Sequence, residues 1–288
     1  MAEESIRTTK LPEGEAVPVL GQGTWYMGEG RQPRGEEIAA LSLGIDLGMF
    51  LIDTAEMYGN GAAEQLVGEA IAGRREEVFL VTKVLPSHAT ALGTVAACDR
   101  SLERLQTDQI DLYLLHWRGS IPLAETLEGF ETLIRAGKIR YWGVSNFDVA
   151  DLEELWMTGG GRLIRSGREV ATDQVLYNLT RRGIEWDLMP WCRERGMPIM
   201  AYSPIEQGRL LDHPVVRTVA ARHGATPAQV ALAWVLRHPD VIAIPKAGDP
   251  PHVQENRAAL DLRLTEPDLE MLDGAFPPPT GKRTLEML

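Results

Sequence analysis

Asp53, Tyr58, Lys83 and His116 are the residues of this sequence whose types and order could move a proton. A phenol has a pKa of about 10 and is a poor acid at neutral pH. A neighbouring ammonium favours the phenolate and lowers that value, and a carboxylate holds the ammonium charged and oriented. On that logic Tyr58 is a proton donor suited to an oxygen gaining negative charge, with Lys83 as its activator and Asp53 as the partner of Lys83. His116 adds a hydrogen-bond donor that fixes a carbonyl for attack. What the four lack is a reductant. Taken singly, each has an ordinary explanation: an Asp at a strand end caps a helix or meets water, and a Lys closing a strand marks where the chain reaches solvent. A His before a Trp is satisfied in the core, and a Tyr before glycines neighbours a turn. Their joint occurrence on successive segments favours the chemical reading.

The segments that must carry them are short, apolar and β-rich. They are VPVLGQG (17–23), FLID (50–53), VFLVTK (78–83), DLYLLH (111–116), IRYWGV (139–144), ATDQV (171–175), PIMAY (198–202) and VIAIPK (241–246). Most starts from the third onward lie about thirty residues apart, the length of one strand–helix unit. Helical stretches lie between them, among them EEIAALSLGIDLG, ATALGTVAACDRSLERL and LAETLEGFETLIRAG, with apolar residues at three- and four-residue steps. In HGATPAQVALAWVLRHP, Thr226 can cap, Pro227 fits the first helical position and Pro239 marks a stop. Eight such units predict the α/β class: a (β/α)8 TIM barrel, one domain over residues 1–288, with a short N-terminal β-hairpin. An open doubly wound sheet is the rival, but it normally has fewer strands. In a barrel the chemistry sits at the C-terminal strand ends, where the second run closes on Asp53, the third on Lys83 and the fourth on His116. Neighbouring strands lie about 4.8 Å apart, so these groups share one rim within about 10 Å. TGGGRLIRSG (158–167) reads as a loop on the opposite face, and SPIEQGRLLDHP, in the 43-residue gap between the last two strand starts, as a loop that folds over a ligand.

Bulk properties limit the partners. The net charge of −12 argues against nucleic acid and anionic membrane, so an anionic ligand must be held by local groups. The two cysteines, Cys98 and Cys192, show no paired spacing, which points to reduced thiols in a cytoplasmic protein. No run has the length of a signal-peptide core or a membrane span. GNGAAE (59–64) mimics a dinucleotide fingerprint, but Glu64 stands where a small residue belongs, and GQGTW (21–25) is no such motif either. No phosphate-loop lysine motif, HExxH, paired CxxC or GxSxG occurs, and His88, His213, His223, His238 and His252 are scattered, so a metal site is not expected.

The words LIDTAEMYG, VFLVTKV, DLYLLHW, IRYWGVSNF, AYSP and IPKAGDPPHVQEN make the chain recognisable. It resembles the aldo-keto reductases nearly end to end, and most of all bacterial members that reduce small aldehydes such as methylglyoxal. The family's Asp, Tyr, Lys and His correspond to Asp53, Tyr58, Lys83 and His116. The resemblance implies NADPH lying extended across the barrel mouth, with Gly23, Thr24, Trp25 and Asp53 beside it. Ser145, Asn146 and Gln174 would hold the carboxamide, and Tyr202 would stack on the nicotinamide. Ser203, Ile205 and Gln207 would lie along the pyrophosphate, with the 43-residue segment folding over it. Lys246 and Ala247 would meet the ribose 2′-phosphate, and His252, Glu255 and Asn256 the adenosine end. Many relatives carry an arginine where this chain has His252, and a common serine is replaced by Ala247. Lys246 alone gives weaker phosphate selectivity, so NADH use is expected beside NADPH.

On the substrate side the resemblance puts Trp25 and Trp117 on either side of the carbonyl, with Met27 and Leu85 nearby. The stretch after His116 and the tail PPPTGKRTLEML are short, which predicts an open apolar pocket for small or aromatic aldehydes. The expected activity is NADPH-dependent reduction of such carbonyls to alcohols by a cytoplasmic monomer. The alternatives are a nucleotide-binding regulatory subunit with little turnover, and a barrel lyase using Lys83 as a Schiff-base amine.

Overall fold

A computed structural model describes residues 6–158 and 169–288. The stretch read as a loop over 158–167 lies outside them apart from Thr158. The chain opens with a hairpin, β1 (Thr8–Lys10) antiparallel to β2 (Ala16–Pro18). Then come β3 (Gln22–Gly23), α1 (Arg34–Asp46), β4 (Leu51–Asp53), α2 (Ala62–Ala70), β5 (Phe79–Val84) and α3 (Ala91–Leu105). They are followed by β6 (Ile110–Leu115), α4 (Leu123–Arg135), β7 (Ile139–Ser145), α5 (Val149–Thr158), β8 (Val170–Leu176) and α6 (Leu188–Glu194). The last are β9 (Ile199–Tyr202), α7 (Pro214–His223), α8 (Pro227–Val235), β10 (Val241–Ala243), α9 (Pro250–Ala258) and α10 (Glu266–Ala275).

The eight strands from β3 to β10 form one parallel sheet in chain order. Bridges Leu20↔Ala243 and Gly23↔Lys246 join its two edges, so the sheet closes into a barrel. The seam is tight: a Cβ on Gly23 would stand 2.7 Å from the Ile244 carbonyl, and one on Gly21 2.7 Å from that of Leu51. The barrel interior holds Leu51, Phe79, Val81, Leu112, Leu114, Tyr141, Met200 and Ile242, and the hairpin adds Leu11 and Val17 to this cluster. The hairpin therefore plugs the N-terminal end of the barrel. A second cluster fills the layer between strands and helices.

The first apolar run does not form one strand. Residues Ala16–Pro18 pair with the hairpin, and only Gln22–Gly23 pairs with β4. Pro18 has no N–H to continue a ladder. In β8 one extra residue opposes β7, since Trp142↔Val170 is followed by Val144↔Asp173. Ala171 packs inside the barrel, yet Gln174, three residues on, also points inward to Asp53. The bulge reverses the alternation, as an inserted residue does. The segment expected to fold as a loop after β9, SPIEQGRLLDHP, runs into α7, a helix the sequence reading missed, and the helix expected beyond it is α8. Thr226 caps α8 in a capping box with Gln229.

Candidate active site

β4 delivers Asp53 and β5 delivers Lys83, both facing the interior and both buried. Lys83 Nζ lies 2.8 Å from Asp53 Oδ2, 2.7 Å from the Thr54 carbonyl and 3.2 Å from Tyr58 Oη. Those three partners match the three protons of an ammonium. With no solvent exposure, its nitrogen has no free direction for attack on a carbonyl, which removes the Schiff-base alternative. Asp53 Oδ1 accepts from Gln174 Nε2 at 2.7 Å. The loop carrying Tyr58 is tied to the end of β5 by Glu56, whose Oε1 accepts from Leu85 N at 2.8 Å. His116 follows β6, its N–H bonded to the Val84 carbonyl at 3.0 Å, and its ring stands edge-on to Tyr58 with centroids 5.9 Å apart.

Burial governs the charges. It pushes Asp53 up, partly offset by Lys83, and it pushes Lys83 down, partly offset by Asp53. It also pushes His116 down to about 3, with help from the Lys83 charge, so the imidazole is neutral at pH 7. Its Nδ1 is buried and unpaired, which leaves Nε2 as the ring nitrogen open to the cleft. Tyr58 corrects the expectation from sequence. Burial and then the Asp53 carboxylate raise it well above the ordinary tyrosine value. The Lys83 charge is already engaged by Asp53 and does not acidify the resting phenol. A phenol kept protonated still has a proton to give, and the ammonium 3.2 Å away acts on the charge that appears once it has left.

These groups lie at the floor of a cleft of about 840 Å³ at the C-terminal mouth of the barrel, within the size range of small-molecule sites. Trp25, Tyr58, His116 and Trp117 line it at one end, with Trp25 and Tyr58 ring centroids 6.4 Å apart, and Gly23 and Thr24 line it at the barrel seam, where Gly23 bridges to Lys246. Ser145, Asn146, Gln174 and Tyr202 border its middle, with Ser203, Ile205 and Gln207 alongside. Asn146 Nδ2 donates to the His116 carbonyl at 3.1 Å, and Tyr202 Oη donates to Asn146 Oδ1 at 2.9 Å. Lys246, His252, Glu255 and Asn256 close the far end. Backbone in the left-handed region recurs here at Tyr26, Asn146, Ser203, Glu206 and Gln207, a cost that side-chain bonds must offset. For the loop after β9 the anchor is buried Glu206, held by Asn178, Arg181 and Arg209.

Three expected residues stand apart from the cleft. Met27 is fully buried in the core, because a turn from Thr24 through Tyr26 (φ 70°) carries it back inward. Ala247 is buried in the same layer, and Leu85, half-buried, is absent from the lining. Conversely, Tyr26, Arg31, Met57, Met287 and Leu288 border the cleft and were missed. The tail was expected, from its length, to leave the pocket open. It runs back along the surface, held by Arg181–Glu286 at 2.5 Å and Lys282–Asp187 at 3.3 Å, and ends over the mouth. Charge pairs of that kind carry no periodicity that a sequence displays.

A profile of the aldo/keto reductase family matches residues 19–276. Over 278 residues the chain is 53% identical to the methylglyoxal reductase YeaE of Escherichia coli, covering 95% of this chain and 96% of that protein. It is 36% identical over 271 residues to the glyoxal reductase of Bacillus subtilis, covering 92% and 91%. The crystal structure of an aldo/keto reductase from Klebsiella pneumoniae in complex with NADP and acetate superposes with a TM-score of 0.92 at 51% identity, covering 98% of this chain and all of that one (100%).

Proposed function

Because this chain belongs to the aldo/keto reductase family, we propose that it reduces small aldehydes and ketones, methylglyoxal-like or aromatic, to alcohols with NADPH. Bound NADPH supplies the hydride. Tyr58 gives its proton to the carbonyl oxygen as negative charge develops there, and Lys83 stabilises the phenolate left behind. Asp53 holds Lys83 in place at 2.8 Å. Neutral His116 donates from Nε2 to the same oxygen and orients the carbonyl. Trp25, Trp117, Met57 and the tail residues Met287 and Leu288 give the substrate end largely apolar walls, which suit small or aromatic carbonyls.

The cleft lining suits an extended nucleotide. Amide and hydroxyl groups of Ser145, Asn146 and Gln174 match a carboxamide, the Tyr202 face matches a flat ring, and Lys246 matches a phosphate. The Escherichia coli and Bacillus subtilis relatives are a methylglyoxal reductase and a glyoxal reductase by name, and the Klebsiella structure holds NADP. The observation that carries the reading is the contact of Lys83 Nζ with both Tyr58 Oη and Asp53 Oδ2 on the floor of the cleft. The same reading takes residues 1–288 as one barrel unit acting as a cytoplasmic monomer, with buried, unpaired Cys98 and Cys192 in support. NADPH consumption over a panel of methylglyoxal, 4-nitrobenzaldehyde, a steroid ketone and an aldose is the test. Turnover confined to the steroid or the sugar would refute the substrate class, and none with any carbonyl would refute the reaction.

A further inference from the structure

The loop that carries Tyr58 leaves β4 and enters α2, and at each of its ends a buried carboxylate grips β5. At the first end the pairing runs on past β4. Thr54 N donates to the Val81 carbonyl at 2.9 Å, and Glu56 N to that of Lys83 at 3.4 Å. The next donor, Leu85 N just past β5, goes to the Glu56 side chain instead, at 2.8 Å from Oε1. His88 Nδ1 lies 2.9 Å from the same oxygen, and the Arg100 guanidinium 3.7 Å from Oε2. At the second end Glu64 Oε1 accepts from Thr82 Oγ1 at 2.6 Å, and Glu64 Oε2 from Arg104 Nε at 2.6 Å. Side chains alternate along a strand, so Thr82 lies on the outer face of β5, with Leu80 and Val84 of the helix layer, while Lys83 points inward. The Glu56 side chain is 5% exposed and that of Glu64 0%.

Glu56 and Glu64 thus flank Tyr58 in the chain, and their anchors Leu85 and Thr82 flank Lys83. Between the two carboxylates, Gly59, Asn60 and Gly61 follow one another in the left-handed region, at φ 55°, 53° and 92°. Backbone of that kind persists only where its surroundings fix it. Gly61 also admits the second brace, since a Cβ there would stand 2.6 Å from Cδ of Arg104, the partner of Glu64. The contact held in this way has little slack. Lys83 Nζ to Tyr58 Oη is 3.2 Å, already longer than the roughly 2.9–3.0 Å usual for an N–H···O bond. We propose that Glu56 and Glu64 are positioning residues for the reduction. They fix the Tyr58 hydroxyl against Lys83 and so set the rate of the chemical step, not the binding of nucleotide or carbonyl. Neither side chain lines the cleft, so each acts through Tyr58 and Lys83. Charge adds to the effect of Glu64: burial lowers Lys83, Asp53 gives the main opposing pull, and Glu64 adds to that pull from behind the strand. A slip of about 1 Å in a reacting group costs about 10²-fold in rate. Leu85 N requires an acceptor oxygen, so glutamine at position 56 keeps the first brace and alanine removes it. This inference rests on the reading of Tyr58 as proton donor to a carbonyl.

The test is single-turnover oxidation of bound NADPH by methylglyoxal. Glu56→Ala, Glu56→Gln and Thr82→Val are each made in wild type and in Tyr58→Phe. Thr82→Val keeps the shape of the buried side chain and cuts the link from Glu64 to β5. With the Tyr58 hydroxyl present, Glu56→Ala should slow the step about 10- to 100-fold and Thr82→Val about three- to tenfold, while Glu56→Gln stays within about threefold. The NADPH dissociation constant and the carbonyl concentration for half-maximal rate should each stay within about twofold of wild type. In Tyr58→Phe the same changes should alter the residual rate less than about twofold, because no hydroxyl is left to place. A general loosening of the fold would not depend on that one oxygen atom. Equal losses with and without the hydroxyl, or a wild-type rate for either Glu56→Ala or Thr82→Val, would overturn the inference while the reductase reading stands. Should Glu56→Ala not fold, the two Thr82→Val proteins decide alone. If Tyr58→Phe reacts as fast as wild type, the proton-donor reading falls and takes the inference with it.

Discussion

Replacing Lys83 with Met isolates the electrostatics of the site floor. The variant keeps the side-chain volume but leaves Asp53, 2% exposed, with Gln174 as its remaining side-chain partner. Burial already pushes the Asp53 carboxyl up, and Lys83 supplies the largest opposing pull. Without it the native state takes up a proton rather than bury a lone charge. Protonating a carboxyl of ordinary pKa at pH 7 costs at most about 4 kcal/mol. Loss of the donor to the Thr54 carbonyl adds about 1 kcal/mol that does not depend on pH. The expected cost at pH 7 is about 3–5 kcal/mol, or about 5–8 °C in Tm for a chain of this length. The sign is set by linkage. A carboxyl whose folded pKa is raised leaves stability intact below about pH 4 and loses it as pH rises. The gap to wild type should therefore widen between pH 5 and 7, by up to about 1.4 kcal/mol per unit. In Asp53→Asn/Lys83→Met no carboxyl remains, so the widening should vanish and the cost should fall at least about 2 kcal/mol short of the two single costs combined. Urea unfolding at pH 5, 6 and 7 measures all of this. A Lys83→Met cost below about 1 kcal/mol at pH 7, or a gap that ignores pH, would refute the reasoning.

Turnover under saturating nucleotide and carbonyl should be flat from pH 6 to 9. His116, pushed down to about 3, is already neutral there, and Tyr58, raised by burial, keeps its proton. A limb near neutrality that disappears in Tyr58→Phe would contradict this. Asp173 is fully buried on β8 with Oδ2 unpaired, and burial raises its carboxyl well above the ordinary value. It therefore lowers stability as pH rises above about 4. Asp173→Asn should gain about 1–3 kcal/mol at pH 8 and nothing near pH 4 by denaturant titration; an equal effect at both pH values would show that the charge is not the cause.

The barrel was legible because each stave announces itself as a short apolar run between helical stretches, and Asp53, Lys83 and His116 end successive runs. Positions that depend on an irregularity were not legible from pattern. In ATDQV, strict alternation from interior Ala171 would aim Asp173 into the barrel; the bulge aims Gln174 there instead. Resemblance named Gln174 where spacing alone could not. Met27 lies two residues from Trp25, yet one residue at positive φ sends it to the core. The tail reaches the mouth through Glu286 and Lys282, which look like ordinary surface charges in the sequence. The resting state of Tyr58 was misjudged because an ammonium nearby can be read from strand order, whereas the depth of burial cannot.

The most direct test of the account removes one oxygen atom. Tyr58→Phe should bind NADPH with a dissociation constant within about twofold of wild type, while kcat for methylglyoxal falls about 10²- to 10⁴-fold. Unchanged binding together with a kcat within about tenfold of wild type would mean that the proton comes from elsewhere, and the proposed role of the Tyr58–Lys83 contact would be wrong.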